Sequence, residues 1–349
     1  MQIRRGGQSV SRPLSSRADS AKVAALMRVR VCYHDNCFDG AASAALFTRF
    51  YQERVDAGAE ILYRGMAHKS GDVFPKGTFD GDENAVVDFR YSADPGLTWW
   101  FDHHVSAFQV AGDREHFEAD TGGRKFYDPA AKSCTRFLAR TVAEKFGFDL
   151  EPHRELIDWA EIIDAAAFAS PEAAVALAEP ALRIMTWIEN NHESSLTERL
   201  IGHMSRAVPL AEIANKRWVK QPLKGILAAH AEAVELMRGR AKLDGGVVTF
   251  DVTDRSGAAF NKFIPYYLHP ETRFVVGLSM TTARVKISVG SNPWLPRPRV
   301  NIAAICERYG GGGHPVVGAV SMPAAELARA RTVADEIIDE LRRAVAEGT

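Results

Sequence analysis

The run Leu97-Thr98-Trp99-Trp100-Phe101-Asp102-His103-His104 constrains this chain more than any other. Trp99, Trp100 and Phe101 are consecutive and apolar, so both faces of the segment demand burial. That fits a parallel strand covered on two sides. The strand then stops in one carboxylate and two imidazoles. Open α/β sheets keep their ligand sites at the carboxyl ends of strands. The run therefore predicts metal-binding or proton-handling groups at a sheet edge. A polar loop with two incidental histidines would look the same in isolation, so the neighbouring segments decide.

Two of them repeat the pattern. Arg28 to Tyr33 reads as a first strand, followed by His34-Asp35-Asn36-Cys37-Phe38-Asp39-Gly40. Asn84 to Asp88 is another apolar run stopped by a carboxylate. Imidazole nitrogens and carboxylate oxygens suit a borderline-hard divalent ion better than a soft one. Between these strands, the Ala-rich stretch Ala41 to Tyr51 predicts a helix, and Ile61 to Tyr63 a further strand. Residues 68 to 84 read as a loop. Alternating strands and helices predict a parallel sheet with crossover helices.

The motifs His34-x-Asn36-x-x-Asp39-Gly40, Asp88, Asp102-His103-His104 and Gly310-Gly311-Gly312-Gly313-His314, in this order, resemble the DHH phosphoesterase superfamily. The resemblance is to members with a DHH-associated C-terminal domain: RecJ-like exonucleases, oligoribonucleases and adenosine bisphosphate phosphatases. It spans residues 28 to 322. It implies two divalent ions, Mn²⁺ or Mg²⁺, held by His34, Asp39, Asp88, His103 and Asp164. Asp88 would bridge them and a water activated there would be the nucleophile. His104 would face the scissile phosphate, with Asp102 orienting a neighbouring histidine. Asp164 ends an apolar helix stripe and matches the pattern's further carboxylate better than Asp158 or Glu161. Gly311, Gly312, Gly313 and His314 would hold the substrate's phosphate end, successive glycine amides being able to form an anion nest.

Two departures stand out. Many relatives carry Asp where this chain has Cys37. Asp35 or water would then substitute, or one ion binds weakly, or the thiol takes a softer ion. Relatives also place an arginine in a Ser-x-Arg-Ser segment, where this chain reads Ser288-Val289-Gly290-Ser291. Arg284 or Lys286 could compensate.

At 349 residues the chain exceeds one ordinary core, so two domains are the default. Residues 1–27 read as a basic disordered tail and 28–208 as the catalytic domain. Residues 209–243 read as a helical connector with a kink at Pro222, and 244–349 as the substrate-binding domain. Strands are expected from Gly246, Phe274 and Ala283, and a final helix over Ala324 to Val345 packed on the second sheet. Arg284, Lys286 and Ser288 alternate on one strand face, which suits either phosphate contact or an exposed edge. Ser133 reads as a helix cap, with anion binding the alternative. Trp218 reads as a packing anchor.

Lys and Arg number 43 against 44 Asp and Glu, a net charge of −1, so any polyanion site must be local. Four cysteines without a Cys-x-x-Cys pair argue against a zinc knuckle or a disulfide framework. Together with no secretory or membrane-length apolar run, they suit a cytoplasmic setting.

The expected architecture is α/β: a doubly wound parallel sheet with a second, smaller α/β cap. The expected function is metal-dependent hydrolysis of phosphodiester or phosphomonoester bonds in a nucleotide, oligonucleotide or single-stranded nucleic acid. The rival is a catalytically weak nucleotide-binding or regulatory protein on the same fold. An inorganic pyrophosphatase is a third reading, which the glycine loop argues against. No membrane partner is expected, and a homodimer is an admissible assembly.

Overall fold

A computed structural model describes residues 26–67, 73–257 and 260–348. The first 25 residues, which hold most of the expected tail, lie outside them. The first unit is built on five parallel strands: β1 (Arg28–His34), β2 (Glu60–Met66), β3 (Glu83–Val87), β4 (Trp99–Asp102) and β5 (Lys125–Tyr127). Their order is β2-β1-β3-β4-β5, all parallel. The chain leaves β1 first toward β2 and then returns to lay β3 on its other side. The switch point of the sheet thus falls between β1 and β3, where open α/β sheets form their ligand crevice.

The helices that follow are α1 (Phe38–Arg54), α2 (Asp113–Glu118), α3 (Cys134–Phe146), α4 (Arg154–Asp164), α5 (Pro171–Ala176), α6 (Pro180–Asn190), α7 (Ser194–Ser205), α8 (Leu210–Asn215) and α9 (Arg217–Arg240). Helix α1 begins three residues before the expected Ala41, so Asp39 sits in its first turn rather than in a loop. Its apolar side packs with α3, α4, α6 and α7 on one face of the sheet, around Trp99 and Phe101. The other face is covered by loop aromatics and the short α2. Trp100 meets Phe89, Tyr91, Phe108, Phe117 and Tyr127 there. Trp99, Trp100 and Phe101 are each at most 1% exposed, so β4 is buried on both faces as its composition demanded. Burying Phe101 alone contributes about 1.5–3 kcal/mol.

The second unit is a mixed sheet of β6 (Lys242–Asp244), β7 (Val247–Asp251), β8 (Phe274–Met280), β9 (Arg284–Ser291), β10 (Gly312–His314) and β11 (Val317–Pro323), in the order β10-β11-β9-β8-β7-β6. Only β7 and β8 pair in parallel. Helices α10 (Ile264–Leu268), α11 (Ile302–Glu307) and α12 (Leu327–Ala346) accompany it. Helix α12 lays Val333, Ala334, Ile337, Ile338 and Leu341 against the sheet, as its periodicity predicts. The two units share an apolar cluster that brings Phe168, Val175 and Leu177 against Val248, Phe263, Tyr266 and Val275.

One local expectation changes, and others take definite form. Strand β9 is interior, between β8 and β11, so the Arg284–Lys286–Ser288 row is not an edge. Arg284 is taken up locally, donating to Ser321 Oγ at 2.7 Å and to the Ser321 carbonyl at 3.1 Å. Helix α9 runs through Pro222 without interruption. Ser133 caps α3, its hydroxyl accepting from the Arg136 N–H at 3.1 Å, which is the cap reading rather than the anion one. Trp218 packs edge-on against Trp187 with ring centres 5.4 Å apart.

Candidate metal centre

Five segments deliver their side chains to the carboxyl edge of the first sheet. Strand β1 ends in His34, and β3 runs into Asp88. Strand β4 ends at Asp102, with His103 and His104 next. Helix α1 contributes Asp39, and α4 ends at Asp164. Asp88 adopts a left-handed backbone, φ 55°, as does Asn36 at φ 54°. Such a conformation costs a non-glycine residue of order 1–3 kcal/mol and persists only where surroundings enforce it. Here the Asp88 N–H donates to the Phe101 carbonyl at 3.0 Å, and the carboxylate is turned into the cluster.

His103 Nε2 lies 3.3 Å from Asp164 Oδ2, 3.5 Å from Asp88 Oδ1 and 3.9 Å from Asp39 Oδ2. Its other nitrogen, Nδ1, is 3.0 Å from the Ala131 carbonyl, so Nδ1 carries the proton and Nε2 faces the carboxylates. His34 Nδ1 is 3.3 Å from Asp88 Oδ2. Two donor sets with ligand atoms mutually within 4.8 Å result: His34, Asp88 and His104, and Asp39, Asp88 and His103. Asp88 belongs to both. Asp164 approaches the second set through His103.

Asp39 is held from a distance in sequence. Its Oδ2 accepts the Cys134 N–H at 2.6 Å and its Oδ1 the Thr135 N–H at 3.0 Å. These are amides of the first turn of α3, so the helix N-terminus favours the ionised carboxylate. Asp102 is completely buried. Its Oδ1 accepts the main-chain N–H of His103 at 2.8 Å and lies 2.7 Å from His104 Nδ1. Asp102 is therefore the residue that fixes the His104 ring.

The titration behaviour follows from crowding. Burial, reinforced by Asp88 and Asp164, pushes the Asp39 carboxyl well above its usual range. Burial and Asp88 likewise raise Asp164, to about 6. Burial disfavours the charged form of Asp88 too, but contacts with His103, His34 and His104 outweigh it and hold that carboxyl low. Burial alone would lower His103, yet Asp88, Asp39 and Asp164 push it up to about 10. His104 is raised in the same way by Asp102 and Asp88. Carboxylates this close repel unless a cation lies among them.

The residues fit a divalent ion. His103 Nε2, Asp88 Oδ1 and Asp102 Oδ2 are buried without a hydrogen-bond partner among the described residues. Buried polar atoms left so in a nitrogen–oxygen cluster are the expected mark of an ion site. Cys37, the N-cap residue of α1, places Sγ 3.7 Å from Asp88 Oδ2. Burial, Asp88 and Asp39 drive its pKa well above the ordinary thiol range, so it stays a thiol in this setting. Asp35 belongs to neither donor set; its Oδ1 accepts the Asn36 N–H at 2.9 Å. Asp158 and Glu161 pair with Arg136 instead of the cluster, at 2.5 and 3.0 Å.

The glycine run is not the open nest its composition suggests. The Gly310 and Gly311 N–H groups close the end of α11, donating to Glu307 and Cys306 carbonyls at 3.0 and 2.9 Å. Gly312 to His314 form β10 against β11, and His314 is exposed. A Cβ at Gly311 or Gly313 would strike the β11 backbone, which is why these two positions need glycine. Sequence reading missed β5 and α2, which are too short to show a period. It also missed the link between Asp39 and α3, because main-chain donors leave no trace in side-chain identity.

No family model matches the chain, and no curated protein sequence does either. Solved structures do. A pGpG-specific phosphodiesterase, PggH from Vibrio cholerae, superposes with a TM-score of 0.62 at 20% identity, covering 90% of this chain and 99% of that one. An exonuclease RecJ bound to manganese gives 0.48 at 14% identity, over 89% and 90%. RecJ from Thermus thermophilus in complex with Mn²⁺ gives 0.47 at 12%, over 90% of this chain and 52% of that one. The fold is the two-unit α/β fold expected from the resemblance to the DHH phosphoesterase superfamily.

Proposed function

We propose that the chain is a metal-dependent phosphoesterase that cuts phosphodiester or phosphomonoester bonds of short nucleotides or single-stranded nucleic acid. The observation that carries this reading is the pair of donor sets, His34–Asp88–His104 and Asp39–Asp88–His103, joined through Asp88. His34, Asp39, Asp88, His103 and Asp164 would hold two divalent ions, Mn²⁺ or Mg²⁺. Such ions supply the positive charge that ionises a water near neutral pH and offsets charge on phosphoryl oxygens. The shared fold with a phosphodiesterase supports the same chemistry by analogy.

The chain's own residues do the positioning. Asp102 engages His104 Nδ1, which leaves Nε2 as the nitrogen available to a substrate phosphate. Although burial lowers it, Asp102 and Asp88 shift the pKa of that ring upward. The N-terminal amides of α3 fix the Asp39 carboxylate before any ligand arrives, which is the preorganisation electrostatic catalysis requires. With the Gly310 and Gly311 amides spent on α11 and Gly312 and Gly313 paired in β10, the exposed His314 would be the group of this run that meets the substrate's phosphate end. The setting proposed for this activity is the cytoplasm.

One observation favours a second reading, a nucleotide-binding protein with weak catalysis. Cys37 approaches Asp88 where relatives of this pattern carry a hard carboxylate, which would weaken one ion. A hydrolysis panel with added Mn²⁺ separates the two. It compares dinucleotides, short RNA and DNA single strands, cyclic dinucleotides, adenosine bisphosphate and pyrophosphate. The expected result is turnover of one class, reduced at least about 10³-fold in His103→Ala, with the variant still folded by circular dichroism. Silence across the panel from a folded, Mn²⁺-loaded protein selects the binding reading, and turnover undiminished in His103→Ala rejects the site.

A further inference from the structure

We propose that Arg90 is a catalytic residue of this centre, its guanidinium donating to a non-bridging oxygen of the scissile phosphoryl group; this deepens the function proposed above and rests on it. Arg90 follows Asp88, the carboxylate common to both donor sets, by two residues. The side chain is half-buried, and its Nε is buried without a hydrogen-bond partner among the described residues. A buried charged donor is the kind most costly to leave unpaired, so this one calls for an acceptor. The arginines of α3 are already engaged, Arg136 by Asp158 and Glu161 and Arg140 by Asp128. Nε–H with a terminal N–H is the planar fork with which arginine grips a phosphate.

The contacts around Arg90 tie it to the donor cluster. Its guanidinium carbon lies over the Phe89 ring, 5.5 Å from the ring centre, and that ring is 6.1 Å from the His34 ring. His34 in turn stands 6.1 Å, edge-on, from His104. One fully buried side chain therefore separates the guanidinium from a ligand candidate, on the flank formed by His34, Asp88 and His104. The backbone is pinned on both sides of Arg90. The Phe89 carbonyl accepts the Trp100 indole N–H at 2.9 Å. The Tyr91 N–H donates to the Ala107 carbonyl at 2.9 Å, and the Ala107 N–H to the His104 carbonyl at 3.0 Å. Stacking holds a guanidinium by its face and leaves its in-plane donors free. A cation fixed in this way has little freedom to lose when an anion arrives. In the displacement a water oxygen bonds to phosphorus and the bond to the leaving oxygen breaks. One water proton ends on that oxygen and the other stays on the product phosphate or passes to solvent. Arg90 keeps its protons throughout and offsets charge gathering on the equatorial oxygens, so its effect falls on kcat.

The test uses the full chain loaded with Mn²⁺ and the substrate class that the hydrolysis panel selects. Arg90→Ala should lower kcat at least about 10²-fold while KM moves less than about threefold. Guanidinium ion, at concentrations that leave the Tm unchanged, should restore at least about tenfold of that loss in Arg90→Ala and nothing in His103→Ala. Arg90→Lys keeps the charge without the fork and should remain at least about tenfold below the native chain. All Arg90 variants should bind Mn²⁺ as the native chain does. A readout without turnover is inorganic phosphate titrated into the Mn²⁺-loaded protein by calorimetry, which Arg90→Gln should bind at least about tenfold more weakly. Phosphate binding that depends on Arg90 in a chain that cuts nothing refutes the hydrolase reading and sustains the contact. Loss of Mn²⁺ binding in Arg90→Lys, or an absence of rescue together with phosphate binding indifferent to Arg90, overturns the proposal. If turnover still depends on His103 in those cases, the hydrolase reading survives without it.

Discussion

The Cys134 N–H donates to Asp39 Oδ2 across 2.6 Å, joining the first turn of α3 to the first turn of α1 over 95 positions of sequence. Two helix N-termini thus converge on one carboxylate, and the ligand candidate is oriented before an ion is present. Asp39→Asn keeps the shape but offers only one acceptor to two amides. Mn²⁺ binding, measured by the loss of free-ion electron paramagnetic resonance signal, should weaken at least about tenfold. Unaltered binding would remove Asp39 from the ligand set.

The cluster's proton balance gives a pH dependence. His103 has a folded pKa of about 10 against an ordinary 6.5. The stability it contributes is therefore complete below pH 6.5 and lost as pH rises through 10. Asp164, raised from 3.8 to about 6, contributes stability that is complete below 3.8 and lost as pH rises through 6. Asp88 has the opposite sign, its stability being present above pH 3.8 and lost in stronger acid. Chelated protein should therefore show a lower Tm at pH 9 than at pH 6.5. Saturating Mn²⁺ should abolish that slope and release at least one proton per chain near pH 7.5 in weak buffer. A chelated Tm that rises over the same interval contradicts the imidazolium-among-carboxylates picture.

Tyr266 and Gly290 form a size-matched pair. Gly290→Ala puts a methyl group 2.6 Å from the phenol oxygen in a closed core and should destabilise by about 1–3 kcal/mol. Tyr266→Phe removes that oxygen and leaves the next ring atom 3.9 Å away. The double variant should recover most of the loss, a coupling of about 0.5 kcal/mol or more in urea unfolding. Strict additivity would show that Tyr266 does not bar a side chain at position 290.

Cys37 stands 3.7 Å from Asp88 Oδ2 as a neutral thiol. Cys37→Asp adds a hard donor beside the same carboxylate. Mn²⁺ and Mg²⁺ should then bind at least about tenfold more tightly, read by calorimetry, while the chelated protein loses stability to the extra repulsion. Tighter binding of a thiophilic ion such as Cd²⁺ by the Asp variant would contradict the assignment of sulfur to the ion's surroundings.

The candidate donor residues that the structure gathers were legible in the sequence because their chemistry and their places coincide. His34, Asp88 and Asp102-His103-His104 each end an apolar strand, and a parallel sheet brings strand ends together without further instruction. Asp164 could be preferred over Asp158 and Glu161 from its place at the end of an apolar stripe, and the structure sends the other two to Arg136. The vacancies at Cys37 and Gly290 were legible as departures from a pattern. Only the tertiary structure decided what fills them: a thiol against Asp88 and the Tyr266 hydroxyl. It alone decided that β9 is interior, that the Gly310 and Gly311 amides close α11, and that the Trp294 indole ties the second sheet to the Phe168 carbonyl beyond Asp164. Each of these contacts uses a main-chain group or a partner far along the sequence. Local composition records which donors and apolar faces a segment offers; which distant backbone meets them is set by packing the whole chain.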